Sequence, residues 1–374
     1  MKPLAVIERF DDGDFLKKHW GQSPCLIRNW LQLQPLSMQE LLDLADANEL
    51  PSRLVSGSSE ADDWQVDHGP LSENDLPQHA RDWTLLVQEM DKVSASVAAI
   101  LDNFRFLPHW VLDDVMISQA VPGGSVGPHR DAYDVFLIQV EGEREWQLGH
   151  SDDVVIDQRF ELALISNWRA DQTIQTRPGD VLYLPPGVGH HGVALNHCQT
   201  WSVGLRTPSG PELLFQLAED NLARPEFSAR LALDQLHPNQ PDQITPALIS
   251  QTRKLLEHNL ALDDQQLGRL LAGFLTRWRL WPNDDFIELE IVTRHLRAGH
   301  CLPLALTARV ALLEIDNERA VFVNGERIAC PPALAVSLSH TRQIDQAWLD
   351  HENALEQLLE CSAIARPKGP VVVS

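Results

Sequence analysis

Two short segments, each carrying a histidine and each broken by glycine and proline, constrain the fold of this chain more than any other feature. The first reads Met116-Ile-Ser-Gln-Ala-Val-Pro-Gly-Gly-Ser-Val-Gly-Pro-His-Arg-Asp131. An extended run enters a Gly-rich turn and leaves through His129 and Asp131. Residues two apart in an extended chain point to the same side, so both side chains can reach one metal ion. A second strand, Asp134 to Glu141, follows directly. It turns at Gly142-Glu143 and returns as Arg144-Glu-Trp-Gln-Leu148. The second segment reads Arg177-Pro-Gly-Asp-Val-Leu-Tyr-Leu-Pro-Pro-Gly-Val-Gly-His-His-Gly192. Pro178-Gly179-Asp180 makes a turn, Val181 to Leu184 a short strand and Pro185-Pro186-Gly187 another turn, before His190.

A His-x-Asp triplet alone is weak evidence, since 15 histidines give about one chance match when Asp is roughly one residue in fifteen. His150-Ser151-Asp152 is such a match, and its polar turn without a Gly-rich approach marks it as a decoy. The order of the second segment (Pro-Gly-Asp, apolar strand, Pro-Gly-x-x-His) resembles the second metal motif of cupin-type jelly rolls. In those barrels, strands far apart in sequence meet around one interior pocket. His190 and His191 compete for the third ligand place, and the spacing from Gly187 favours His190. Two histidines and a carboxylate on one face of iron mark the non-haem oxygenases. The open positions suit 2-oxoglutarate and dioxygen. The distal carboxylate of 2-oxoglutarate needs a cation, and the planar fork of arginine binds a carboxylate bidentately. Arg144 opens the strand after the metal strand and fits that role, unless it is a solvent-facing hairpin residue. Ser118 is its natural hydroxyl partner, sharing one strand face with Met116 and Asp114.

Composition bounds the rest. The 374 residues suffice for two or three domains with a real core. No apolar stretch has the length of a membrane span, and no secretory signal opens the chain, so a cytoplasmic location is expected. The five cysteines are scattered and suggest neither a zinc knuckle nor a disulfide scaffold. A formal charge of -23 opposes direct nucleic-acid binding and would steer in a basic partner. Three textures divide the chain. Residues 1–210 read as β structure after opening helices at Phe15 to Trp20 and Met38 to Ala47, with a further helical pattern from Leu85 to Leu107. Residues 211–284 are leucine-rich and helical, with a loop at His237 to Asp242. Residues 285–374 hold a helix at Phe286 to Leu296, then strands at Arg309 to Ile315 and Ala320 to Val323. A tight Asn324-Gly325 turn and a terminal helix from Ile344 to Cys361 complete them.

At this point a family resemblance becomes specific. Asp114-Val-Met-Ile-Ser118, Val121-Pro-Gly-Gly124, Gly127-Pro-His-x-Asp-x-Tyr-Asp-Val-Phe136, Leu184-Pro-Pro-Gly-x-x-His190 and Trp201-Ser-Val-Gly-Leu-Arg206 carry it. Ser52-Arg-Leu-Val-Ser56 and Trp64-Gln-Val-x-His-Gly-Pro70 add to it. The chain resembles the Jumonji C-type hydroxylases, and among them the bacterial ribosomal oxygenases that hydroxylate an arginine of a large-subunit ribosomal protein. The resemblance implies a mainly β double-stranded β-helix of the cupin, jelly-roll type. It also implies an α-helical dimerisation region, hence a homodimer, and a winged-helix-like α+β C-terminal domain. It implies Fe(II) on His129, Asp131 and His190, with 2-oxoglutarate held by Arg144 and Ser118 and O2 as oxidant. Asp114, Met116 and Tyr133 would line the pocket of a substrate arginine, where a carboxylate and a ring suit a guanidinium. Rival readings are a demethylase of the same class, a cupin enzyme that does not use 2-oxoglutarate, and a non-catalytic barrel. His-x-Asp in place of His-x-His, together with Arg144, opposes the second.

Overall fold

The computed structural model describes residues 4–47, 49–77, 81–149, 154–231, 244–281, 287–316 and 318–367. The His150-Ser151-Asp152 triplet, the loop expected at His237 to Asp242 and the helix start expected at Phe286 lie outside these residues. The chain separates into two compact units, Met1–Thr207 and Pro208–Ser374. None of the described helices is long and apolar enough to cross a membrane.

Two sheets dominate the first unit. The larger has nine strands in the order Ala5–Ile7, Cys25–Ile27, Val181–Leu184, Asp134–Glu141, Cys198–Leu205, Leu112–Ala120, Trp83–Val87, Ser52–Ser56 and Gln65–His68. The smaller has four, Gln172–Thr176, Arg144–Gly149, Gly189–Ala194 and His129–Arg130. Both segments singled out in the sequence thus contribute to both sheets, the layout expected of a double-stranded β-helix. Alternation sorts the side chains. Val135 and Leu137 lie on the same face as Leu182 and Leu184, and pack with Trp146 and Leu148 of the smaller sheet. Phe136 and Tyr183, directly paired across their strands, face the other way. There they meet Phe15 of the helix Asp12–Lys18 and, in the case of Phe136, Trp30 and Phe104. The larger sheet is therefore buried on both faces at its centre.

That double burial explains the main departure from the expected elements. The helical pattern read over Leu85 to Leu107 resolves into the strand Trp83–Val87, short helices at Met90–Val93 and Ala95–Ala98, and a 3-10 segment at Ala99–Phe104. Every residue of the strand is buried, so its sequence is apolar apart from Thr84 and shows no polar-out alternation. The first opening helix runs Asp12–Lys18 instead of Phe15 to Trp20, because Asp11 accepts from the Asp14 N–H and caps it earlier, and the second stands at Met38–Ala47 as expected.

In the second unit, capping residues start three helices: Ser209 before Gly210–Leu222, Thr245 before Pro246–Leu260 and Asp263 before Asp264–Arg277. The helix Leu289–Arg297 precedes a three-stranded meander, Val310–Ile315, Glu318–Val323 and Glu326–Ile328. Asn324 and Gly325 are both left-handed at φ 50° and 94°, the turn expected from the dipeptide. The helix Pro332–Thr341 follows. The expected terminal helix begins later than Ile344. The Asp345 carboxylate accepts from the Ala347 N–H and opens a 3-10 turn at Gln346–Asp350, so the α-helix runs only from Glu352 to Glu360. Val292, Leu296, Val321, Val323, Trp348 and Leu355 form part of the core.

Candidate active site

His129 and His190 are direct cross-strand partners in the smaller sheet, with ring centroids 4.2 Å apart. Each ring is held the same way. Nδ1 of His129 lies 2.9 Å from the Gly127 carbonyl, and Nδ1 of His190 lies 3.1 Å from the Val188 carbonyl. A carbonyl can only accept, so both Nδ1 atoms carry the proton and both Nε2 atoms keep a free lone pair. The His190 Nε2 points to Asp131, 3.7 Å from its Oδ2. Ligand atoms of His129, Asp131 and His190 all lie within 4.8 Å of one another, a group that can hold a metal ion. The Gly187 N–H donates to the Asp131 carbonyl at 2.8 Å, so the Pro-Pro-Gly turn of one segment is tied to the ligand loop of the other.

Burial pushes the His190 imidazole down to about 4, helped by the neighbouring His129 ring. A neutral imidazole is the form that ligates metal. His191 is also pushed down to about 4 by burial, but its place is different. His190 pairs with Leu148 and Gly192 with Trp146, both on the interior face, whereas His191 pairs with Gln147 on the opposite face. His191 does not join the metal-capable group.

Arg144 occupies the interior face with Trp146 and Leu148, buried at 3% exposure. Its Nη2 donates to the Cys198 Sγ at 3.6 Å, its Cζ lies 5.6 Å from the Trp146 ring centroid, and its Nε has no hydrogen-bond partner. Among the described residues no carboxylate pairs with it. A buried cation with an orphaned donor is costly unless an anion completes it. Gly192 makes room beside it, since a Cβ there would lie 2.5 Å from the Trp146 ring. Ser118, Thr200 and Gln139 form one interior row across three strands. The Ser118 hydroxyl donates to the Thr200 carbonyl at 3.1 Å, while the Thr176 and Thr200 hydroxyls donate to the Gln139 Oε1. Ser118 can turn its proton to an incoming carboxylate only by releasing that carbonyl.

Asp114 presents the opposite imbalance. Three other carboxylates surround it, Glu89, Asp91 and Asp113. Lys92 neutralises Asp91 at 2.6 Å and Arg206 neutralises Asp113 at 2.7 Å. Asp114 keeps only a long hydrogen bond of 3.4 Å from the Glu89 N–H, and no described cation pairs with it. Burial, with repulsion from Asp113 and Asp91, pushes its carboxyl up to about 6. A bulge sets its direction: register shifts between Val203 and Leu205 opposite the strand Leu112–Ala120. Met116 packs with Val55, Trp64, Leu86 and Leu164. Tyr133 stands near Asp131 and Asp114. The strand ends at Arg130, and residues 131–133 bend rather than alternate.

Sequence reasoning thus placed the three metal-capable residues together and missed Trp146, Gln139, Asp113 and Arg206. Alternation along Ser202, Gly204 and Arg206 was the available signal for the last.

Comparisons with known proteins agree with this geometry. A model of the JmjC domain matches residues 99–213. The chain is 35% identical over 336 residues to the ribosomal protein uL16 3-hydroxylase of Escherichia coli, covering 86% of this chain and 87% of that protein. It is 32% identical over 339 residues to a probable ribosomal oxygenase of Haemophilus influenzae, covering 83% and 80%. The structure of YcfD, an E. coli ribosomal oxygenase, in complex with cobalt and 2-oxoglutarate superposes with a TM-score of 0.79 at 30% identity, covering 95% of this chain and 96% of that one. Identity at this level over most of both chains, on a barrel that gathers two histidines and an aspartate, places the protein in the JmjC-type bacterial ribosomal oxygenase family.

Proposed function

We propose that this chain is an Fe(II)- and 2-oxoglutarate-dependent protein hydroxylase acting on an arginine side chain of a large-subunit ribosomal protein. The observation that carries the reading is a pair of uncompensated charges of opposite sign on one barrel interior, the cation buried and the carboxylate half-buried. Arg144 lacks an anion and Asp114 lacks a cation. An acidic cosubstrate fits the first and a guanidinium fits the second. The donor set suits iron: two imidazoles with Nδ1 turned to backbone carbonyls and one carboxylate, His129, His190 and Asp131. Iron with 2-oxoglutarate and dioxygen supplies the oxidising power that inserts one oxygen atom into a C–H bond, releasing succinate and carbon dioxide. The protein's residues bind and orient. Arg144 and Ser118 receive the distal carboxylate of 2-oxoglutarate. Asp114 pairs with the substrate guanidinium, while Met116 and Tyr133 wall its alkyl stem and plane. The relative from E. coli is named for hydroxylating uL16, and the net charge of -23 favours a basic polypeptide.

The same reading assigns residues 1–210 to the oxygenase domain, 211–284 to a helical dimerisation region and 285–374 to a winged-helix-like domain. Support for a homodimer comes from Leu214, Phe215, Leu222, Leu256, Leu260 and Leu267, all exposed on these helices, Leu222 at 88%. A substrate that is a ribosomal protein implies a cytoplasmic enzyme without a nucleic-acid role of its own.

The test mixes purified protein, iron(II), ascorbate and 2-oxoglutarate with uL16, and follows succinate and peptide mass. One added oxygen on an arginine peptide, lost in Asp131→Ala, is the expected result. Oxygen on another residue overturns the arginine assignment, formaldehyde in place of added oxygen supports a demethylase, and the absence of succinate with any basic protein refutes the oxygenase reading.

A further inference from the structure

The Tyr133 ring is already engaged before any substrate arrives. The Arg206 guanidinium lies over its face, with Cζ 4.1 Å from the ring centroid. That guanidinium is itself held by charge: Nε is 2.7 Å from the Asp113 Oδ2, a carboxylate exposed at only 5%, in an ion pair that is out of line for a hydrogen bond. The Arg206 N–H donates to the Val111 carbonyl at 2.8 Å, fixing the backbone from which the side chain leaves. Two residues earlier, near the end of the strand Cys198–Leu205, Gly204 leaves the space in which carboxylate and ring meet. A Cβ at Gly204 would lie 3.0 Å from the Asp114 Oδ1 and 3.9 Å from the Tyr133 Cε2. A planar guanidinium stacks on an aromatic face and holds a fixed plane, as an ammonium does not. Charge matters equally. An unpaired cation here would compete for Asp114, and Asp113 removes that competitor. We propose that Arg206, tied to Asp113, is a positioning residue that clamps the Tyr133 ring, so that its free side and the Asp114 carboxylate together form the seat for the substrate cation.

The inference deepens the substrate reading above and rests on it, so its test has one arm independent of turnover. The chain has only two tyrosines, Tyr133 and Tyr183, and Tyr183 belongs to the aromatic core with Phe15 and Phe136. Ring-13C-labelled tyrosine therefore gives two separable sets of NMR signals. Arg206→Met alone removes the counter-charge facing a buried carboxylate and risks misfolding, so the main variant is Arg206→Met with Asp113→Asn, which removes both charges. Its Tyr133 signals are expected to shift and broaden while those of Tyr183 stay in place. Unchanged Tyr133 signals would refute the clamp, whatever the enzyme does with uL16. The second arm measures hydroxylation of uL16. In the double variant KM for uL16 is expected to rise about ten-fold with kcat within about two-fold, the size of a lost cation–π contact. In a Tyr133→Ala background the same pair of changes is expected to add nothing further. Additive losses, or a fall in kcat at unchanged KM, would overturn the positioning role. Arg206→Lys keeps the charge pair without the planar stack and is expected to recover less than half of the loss.

Discussion

Asp114 is the residue whose replacement should separate binding from stability most sharply. Its carboxyl is pushed from 3.8 up to about 6 by burial and by Asp113 and Asp91. Keeping it ionised at pH 8 therefore costs the fold about 3 kcal/mol. The sign follows from proton binding. Between these two values the folded state holds more protons than the unfolded chain, so stability falls as pH rises through the window and levels off above about 6. Asp114→Asn removes the charge at constant shape. The amide still pays some desolvation, so the expected gain at pH 8 is about 1–2 kcal/mol, or a Tm higher by about 2–8 °C for a unit of this size. At pH 4.5, where the wild-type group is mostly protonated, the ionisation cost falls to about 1 kcal/mol while the amide's desolvation is unchanged, so the gain should vanish or reverse slightly. Thermal unfolding of both proteins at the two pH values is the assay, with KM for uL16 measured alongside and expected to rise strongly. A variant less stable than wild type at pH 8, or a gain independent of pH, would show that Asp114 already has a counter-charge and would sink the reasoning.

Other replacements read different parts of the structure. Arg144→Met fills similar space without the orphaned Nε, so it should leave Tm unchanged or raised while weakening 2-oxoglutarate binding by about 100-fold, as titration calorimetry would register. Gly192→Ala drives a methyl group to within 2.5 Å of the Trp146 ring. It should cost about 1–3 kcal/mol and raise KM for 2-oxoglutarate as the indole moves towards Arg144, so unaltered kinetics would contradict the close packing. Phe136→Ala, at the centre of the outer aromatic cluster, should cost about 3–5 kcal/mol in denaturant unfolding while leaving the three metal-capable residues in place.

Much of the site was legible because its chemistry is local. His129 and Asp131 stand two apart, and the turn at Asn324-Gly325 follows from short-range pattern, whereas the strands Asp134–Glu141 and Arg144–Gly149, though placed as expected, enter different sheets instead of pairing as a hairpin. What escaped the sequence depends on register or on distant partners. His190 and His191 are told apart by which lies opposite Leu148, a fact of strand pairing. Leu85 to Val87 read as the start of a helix because a strand buried on both faces loses its alternation. Arg206 carried no role because its partners, Asp113 and Tyr133, lie on other elements and meet it only at a bulge.

Within the barrel interior, two uncompensated charges of opposite sign would gain most by finding each other. Geometry forbids it. Asp114 lies near the start of the strand Leu112–Ala120, whereas Arg144 reaches Cys198, which pairs with Ala120 at its far end. Six residues of strand separate the two ends by about 20 Å. Had they paired, the interior would be neutral, stable and closed to charged ligands. Held apart, each charge destabilises the empty protein until an external ion completes it, and so each ligand adds to stability what it relieves. The expected signature is thermal protection by 2-oxoglutarate and by a basic uL16 peptide added separately, each by about 2.7 kcal/mol at a hundred-fold excess over its Kd. The peptide's share should vanish in Asp114→Asn while that of 2-oxoglutarate persists, and Arg144→Met should show the reverse. Protection by both ligands lost together in either variant would mean that the two seats are one site.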